Sequence, residues 1–152
     1  MTTPPAITQI HVSGFRSLKH INLSPGRVTV LIGANGSGKS NLLSALRMTA
    51  LMRTKSLARF VGEAGGASAL LHYGTKITNE IAVQLSFEEP TKANTYSASL
   101  GYAPGDRLVF IEETIGYRPQ SATEFRTESL GTGHFESNLE DAASDPKNVT
   151  AQ

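Results

Sequence analysis

Arg27-Val28-Thr29-Val30-Leu31-Ile32-Gly33-Ala34-Asn35-Gly36-Ser37-Gly38-Lys39-Ser40-Asn41 runs from an apolar segment through a glycine-rich turn to a lysine and a serine. Its first six residues are nearly all apolar and rich in branched side chains, the pattern of a strand covered on both faces. Lys39 to Met52 follows as a helix, with Leu42, Leu43, Leu46 and Ala50 on one stripe. Between the two, Gly33, Gly36 and Gly38 allow turns closed to residues with a Cβ, so backbone N–H groups can crowd around an anion. The helix turns its positive dipole end toward the same place. A strand, a glycine loop and a helix in that order make a phosphate-binding loop.

The spacing is G-x-x-x-x-G-K-[ST], and each fixed position has a reason. Gly33, Ala34, Asn35, Gly36, Ser37 and Gly38 supply the amide cradle, and Lys39 reaches toward the β- and γ-phosphates. The Ser40 hydroxyl is the expected Mg²⁺ ligand. The ligand this loop implies is therefore ATP with Mg²⁺, and Lys39 is also the group that meets charge developing on the transferred phosphoryl.

The rest of the chain narrows the setting. A length of 152 residues suits one domain with its own core. There is no cysteine, so disulfides and thiolate metal sites are excluded, and His11, His20, His72 and His134 are too scattered in sequence to read as ligands. The start lacks the basic segment and apolar run of a secretory signal, and no apolar stretch is long enough to span a bilayer. These features lead us to expect a cytoplasmic protein with no membrane partner. The net charge of +1 hides a division. Residues 1–62 contain no Asp or Glu but carry Arg16, Lys19, Arg27, Lys39, Arg47, Arg53, Lys55 and Arg59, while all 13 acids follow. An anionic partner for the first part is the natural inference.

Upstream of the loop, Ile7 to Val12 and Leu18 to Leu23 read as strands. Downstream, Leu57 to Glu63 is a short helical piece followed by a Gly65-Gly66 break and an apolar patch at Ala69-Leu70-Leu71. The period then changes to two. Ile81, Val83, Leu85 and Phe87 alternate with polar residues across 77–89, Tyr96 to Tyr102 repeats the pattern, and Val109 to Tyr117 continues it after a Pro104-Gly105-Asp106 turn. Three such strands predict an antiparallel meander. Beyond about Gln120 the chain is polar and without a stripe, which predicts a loosely ordered tail over 120–152. The expected organisation is a partial ATPase domain over 1–119, with a phosphate-loop part at 1–62 and antiparallel strands at 77–119. The fold class is α/β (α+β): the first lobe of a P-loop NTPase with an added antiparallel β-meander.

The loop from Gly33 to Asn41, with Asn two places after Gly33 and again after the serine, resembles that of the SMC and RecF type ATPases. Ile10-His11-Val12-Ser13-Gly14-Phe15-Arg16-Ser17-Leu18 is similar to their opening strand and Phe-Arg-Ser turn. Gly65-Gly66-Ala67 with Leu70-Leu71-His72 is similar to bacterial AAA-type ATPases of ABC architecture. The resemblance covers most of residues 7–75. It implies the first lobe of an ABC-class ATPase head, with Arg16 and Asn41 at the nucleotide, head-to-head dimerisation around ATP, and work on DNA or in defence.

Members of that group complete the site with a Walker B strand ending in Asp-Glu, a signature loop and a switch histidine, none of which is evident here. Hydrolysis needs a group to orient or deprotonate water and a further carboxylate on the metal shell. Leu108 to Glu113 ends an apolar run in Glu112-Glu113, but Glu112 replaces the usual Asp and the strand continues to Tyr117. The same acidic ending recurs at Glu88-Glu89. Neither glutamate of the 112–113 pair is therefore expected to be catalytic, and His134 is expected to be a solvated loop histidine. The leading reading is the ATP-binding amino-terminal part of an ATPase, binding without turnover on its own. An ATP-sensing module without turnover is the alternative, and a small-molecule kinase would need lid arginines for which only Arg53 and Arg59 are near. Arg47, Arg53, Lys55 and Arg59 are either a cationic edge for DNA or the polar face of a helix beside a bound polyanion.

Overall fold

The hydrophobic periodicities resolve into two layers in the computed structural model, which describes residues 5–145. Six strands form one sheet: β1 (Ala6–Phe15), β2 (Leu18–Leu23), β3 (Glu80–Glu88), β4 (Lys92–Ala103), β5 (Arg107–Pro119) and β6 (Arg126–Gly131). Their order is β2-β1-β3-β4-β5-β6, and every pairing is antiparallel. The alternation at 81–87 sets the register. Ile81, Val83 and Leu85 face the core opposite Leu100, Ala98 and Tyr96 of β4, so a slip of one residue would expose the whole row. β1 lies between β2 and β3, so strands from both the 1–62 and the 77–119 stretches share this sheet.

Helices cover one face. α1 (Lys39–Arg53) and α2 (Leu57–Glu63) lay Leu42, Ala45, Met48, Met52, Leu57, Phe60 and Val61 on the β1, β3 and β4 side chains. The connector between α2 and β3 is pinned at two points along one end of the strands, the end of β1 and the β4–β5 turn. The Ala67 amide donates to Asp106 O (2.9 Å), and Phe15 and Leu71 form an antiparallel bridge. Fully buried Leu70 fills the space beneath.

Two expectations need correction. Residues 27–32 form no strand and are uncovered: Val28, Val30 and Ile32 are 85%, 73% and 91% exposed. An apolar run becomes a strand only where a neighbour takes up its N–H and C=O groups, and among the described residues no strand pairs with this one. The stretch after 119 is more ordered than its composition suggests. It carries β6, a buried Ser137 and α3 (Leu139–Ser144). β6 escapes periodicity because it is a sheet edge, with five of its six residues exposed.

Candidate functional site

Residues 33–38 form an exposed loop that leads straight into α1. Gly36 (φ 83°) and Gly38 (φ 96°) lie in the left-handed region, and a Cβ on Gly33 would come within 2.7 Å of Ser37 Oγ. The loop closes on itself through the Ser37 amide, which donates to Ala34 O (3.2 Å). Lys39 folds back over it, its Nζ donating to Gly33 O (2.6 Å), Ala34 O (2.7 Å) and Ser37 Oγ (3.2 Å). The ammonium is thus held directly above the cradle.

The 15-residue α1 starts at Gly38 with no side-chain cap and no acid in its first turn. Most helices satisfy their first amides with a Ser, Thr, Asp or Asn side chain. Here those amides and the positive end of the macrodipole remain for an external anion, beside Lys39 Nζ, whose three N–H groups bond the loop. Ser40 sits exposed on the same turn. The donor set fits a Mg²⁺-bound polyphosphate: amides and an ammonium for phosphate oxygens, a hydroxyl for a hard cation.

The turn between β1 and β2 closes the site from one side. Asn41 Nδ2 donates to Ser17 Oγ (2.7 Å), and Arg16 Nη1 donates to Ser44 Oγ (3.4 Å), one helical turn beyond Ser40. Arg16 and Asn41 are therefore gathered beside the loop. Ser17 and Ser44, which hold them there, were not singled out by the sequence reading. A pair of small hydroxyls 27 positions apart carries no periodic signal.

The acidic pair lies elsewhere. Glu112 points to solvent, whereas Glu113 is fully buried. Its carboxylate accepts from the Tyr96 hydroxyl (2.8 Å), from Ser137 Oγ, from His134 Nε2 (3.0 Å) and from the Asn138 amide (3.0 Å). The Tyr96 hydroxyl also lies 3.8 Å from Met52 Sδ. Met52 belongs to the last turn of α1, so this network is about 20 Å along the helix from Lys39 at ~1.5 Å per residue. His134 is a correction to the sequence reading: it is half-buried, bonded to Glu113 and stacked on Phe110 with ring centroids 4.7 Å apart. Burial, and then the Glu113 charge beside it, push the Tyr96 hydroxyl well above the usual tyrosine range.

The basic residues after the loop are largely committed within the fold. Arg47 and Arg59 meet Glu63 at 3.9 and 2.8 Å, and Lys55 meets Asp141 at 2.7 Å. That hydrogen bond with Asp141 raises the Lys55 pKa. Among the described residues, no group of three or more His, Cys, Asp or Glu side chains is arranged to hold a metal, and no helix is long and apolar enough to cross a membrane.

Sequence relatives include DNA replication and repair protein RecF of Anaeromyxobacter dehalogenans strain 2CP-1, 36% identical over 87 residues, covering 53% of this chain and 23% of RecF. The RecF protein of Stutzerimonas stutzeri is 40% identical over 50 residues, covering 32% of this chain and 14% of its own. The chain thus spans less than a quarter of the length of these relatives. A solved structure from work on ATP-driven dimerization and DNA-stimulated activation of SMC ATPases aligns with 76% of this chain and 70% of its own, at a TM-score of 0.49 and 23% identity. The AAA ATPase domain family matches residues 6–144, nearly all of the described structure, and the chain belongs to it.

Proposed function

We propose that this chain is the ATP-binding amino-terminal part of an SMC/RecF-like ATPase, with Mg²⁺ as the accompanying ion. The observation that carries the proposal is the start of α1: a long helix with no cap and no nearby acid, facing a glycine loop crossed by Lys39. Gly33 to Gly38 and the first amides of α1 hold the phosphates, Lys39 neutralises the β- and γ-oxygens, and Ser40 ligates the metal. Asn41 and Arg16 line the side formed by the β1–β2 turn.

Bound ATP is held here but not hydrolysed by these residues alone. In-line attack on the γ-phosphate needs a carboxylate at the water and another on the metal shell. No acid precedes residue 63, and Glu113 is spent on a buried network at the far end of α1. Those carboxylates come from another lobe or chain. Its docking edge is the uncovered 27–32 segment, a strand in waiting. A cytoplasmic setting and head-to-head dimerisation around ATP belong to the same proposal. A role in DNA repair or defence rests on the RecF relatives: of Arg47, Arg53, Lys55 and Arg59, three are paired with acids within the fold, and exposed Arg53 alone makes no cationic edge.

The test is binding of a fluorescent ATP analogue with Mg²⁺, together with phosphate release. Lys39→Ala removes a charge-assisted contact and should weaken binding about ten- to a hundredfold. Wild type should release phosphate only at background, and Glu113→Gln should not trap ATP. Equal binding by wild type and Lys39→Ala would overturn the nucleotide site. Steady turnover by wild type that both variants abolish would overturn the two-part reading.

A further inference from the structure

His72 is 8% exposed in the connector between α2 and β3, and the phosphate chemistry above does not use it. Its ring Nδ1 lies 2.6 Å from the carbonyl oxygen of Arg16. A carbonyl only accepts, so Nδ1 is the protonated nitrogen and donates. The same short segment makes two more attachments to the end of β1. The His72 amide donates to Gly14 O (2.9 Å) and the Arg16 amide donates to Leu70 O (2.7 Å), the two bonds that make up the antiparallel bridge of Phe15 with Leu71. Both backbone groups of Arg16 are therefore held by residues 70–72.

Arg16 needs such a hold. Its φ of 49° is left-handed, as the two-residue Arg16-Ser17 connection between paired Phe15 and Leu18 calls for, and the bonds from residues 70–72 fix that turn in place. That backbone angle aims the side chain back across α1, where Nη1 reaches Ser44 one turn beyond Ser40.

We infer that His72 is a positioning residue for the nucleotide site, which clamps the Arg16 carbonyl so that the guanidinium stays beside the ATP phosphates. The inference rests on the proposed ATP reading of the loop. His72 touches no nucleotide. It acts through Arg16, and its contribution disappears when Arg16 has no side chain to place.

The experiment measures binding of the fluorescent ATP analogue with Mg²⁺ to the full chain, with thermal unfolding followed on every variant. Asn is the informative replacement, because its Nδ2 donates from nearly the position of the histidine Nδ1. His72→Ala and His72→Leu should remain folded and bind roughly three- to tenfold more weakly. His72→Asn should bind within about twofold of wild type. In an Arg16→Ala background, His72→Ala should cause no further loss, the non-additivity expected of two residues acting as one unit. Unchanged binding in His72→Ala, an equal loss in the Arg16→Ala background, or no rescue by Asn overturns the inference. Unfolding of both the Ala and Leu variants also counts against it, since it makes His72 a core group and nothing more. If Lys39→Ala binds as wild type does, the ATP reading itself has failed. If Lys39 dependence holds and the His72 pattern does not, only the positioning role falls.

Discussion

A buried carboxylate is tolerated only when donors surround it, and Glu113 has four: Tyr96, Ser137, His134 and the Asn138 amide. Three of them lie on a stretch with no apolar stripe, so no pattern of sequence announces the network. What could be read was negative, that a strand running on to Tyr117 does not present an acid at its end. The network also makes a pH prediction. The Tyr96 hydroxyl titrates above its ordinary value of 10.0 in the folded chain, first from burial and then from the Glu113 charge. Above about pH 10 the unfolded chain therefore loses this proton before the folded one does. The folded state then binds more protons, so stability is complete below pH 10 and falls as pH rises beyond it. The slope from this one group approaches about 1.4 kcal/mol per pH unit. Urea unfolding midpoints of wild type and Tyr96→Phe between pH 9 and 11.5 should diverge, with the steeper fall in wild type. Parallel curves would mean that Tyr96 is not held in this way.

At the scale of elements, α1 and α2 are both short of N-terminal caps but for different reasons. The open end of α1 faces the loop and has no side-chain cap among the described residues. The open end of α2 is filled from far away, as Glu136 Oε2 and Oε1 accept from the Leu57 and Ala58 amides, both at 2.9 Å. A carboxylate there satisfies two orphan donors and meets the helix dipole. Glu136→Ala should cost about 1 kcal/mol in urea unfolding and speed hydrogen exchange at the Leu57 and Ala58 amides while leaving those of α1 unchanged. Uniform acceleration across both helices would show that the segment after β6 secures more than α2. The helices themselves were legible: Leu57 to Glu63 and the start at Lys39 follow from the apolar stripe and the glycines before it. The cap was not, because Glu136 lies 79 residues from Leu57.

For the whole molecule, the uncovered segment 27–32 is the proposed docking edge. Exposed apolar side chains contribute little to the fold they stand outside, so Val30→Thr and Ile32→Thr should each change stability by less than about 0.5 kcal/mol. Val12→Thr, at a fully buried position of β1, should cost roughly 1 to 3 kcal/mol. Comparable losses at all three positions would place residues 27–32 inside the fold of this chain and remove the docking edge. The sequence by itself determined the glycine loop, the helix after it and the registered alternation of β3, β4 and β5. Each of these follows from neighbours a few residues apart, through backbone sterics, a dipole or a period of two or 3.6. Only the tertiary structure decided that residues 27–32 stand uncovered, that Arg16 lies against α1, and that Glu113 and His134 belong to a buried network. Those outcomes depend on which distant backbone or side chain supplies a hydrogen-bond partner. An apolar run or a lone histidine carries no record of that partner in its own sequence.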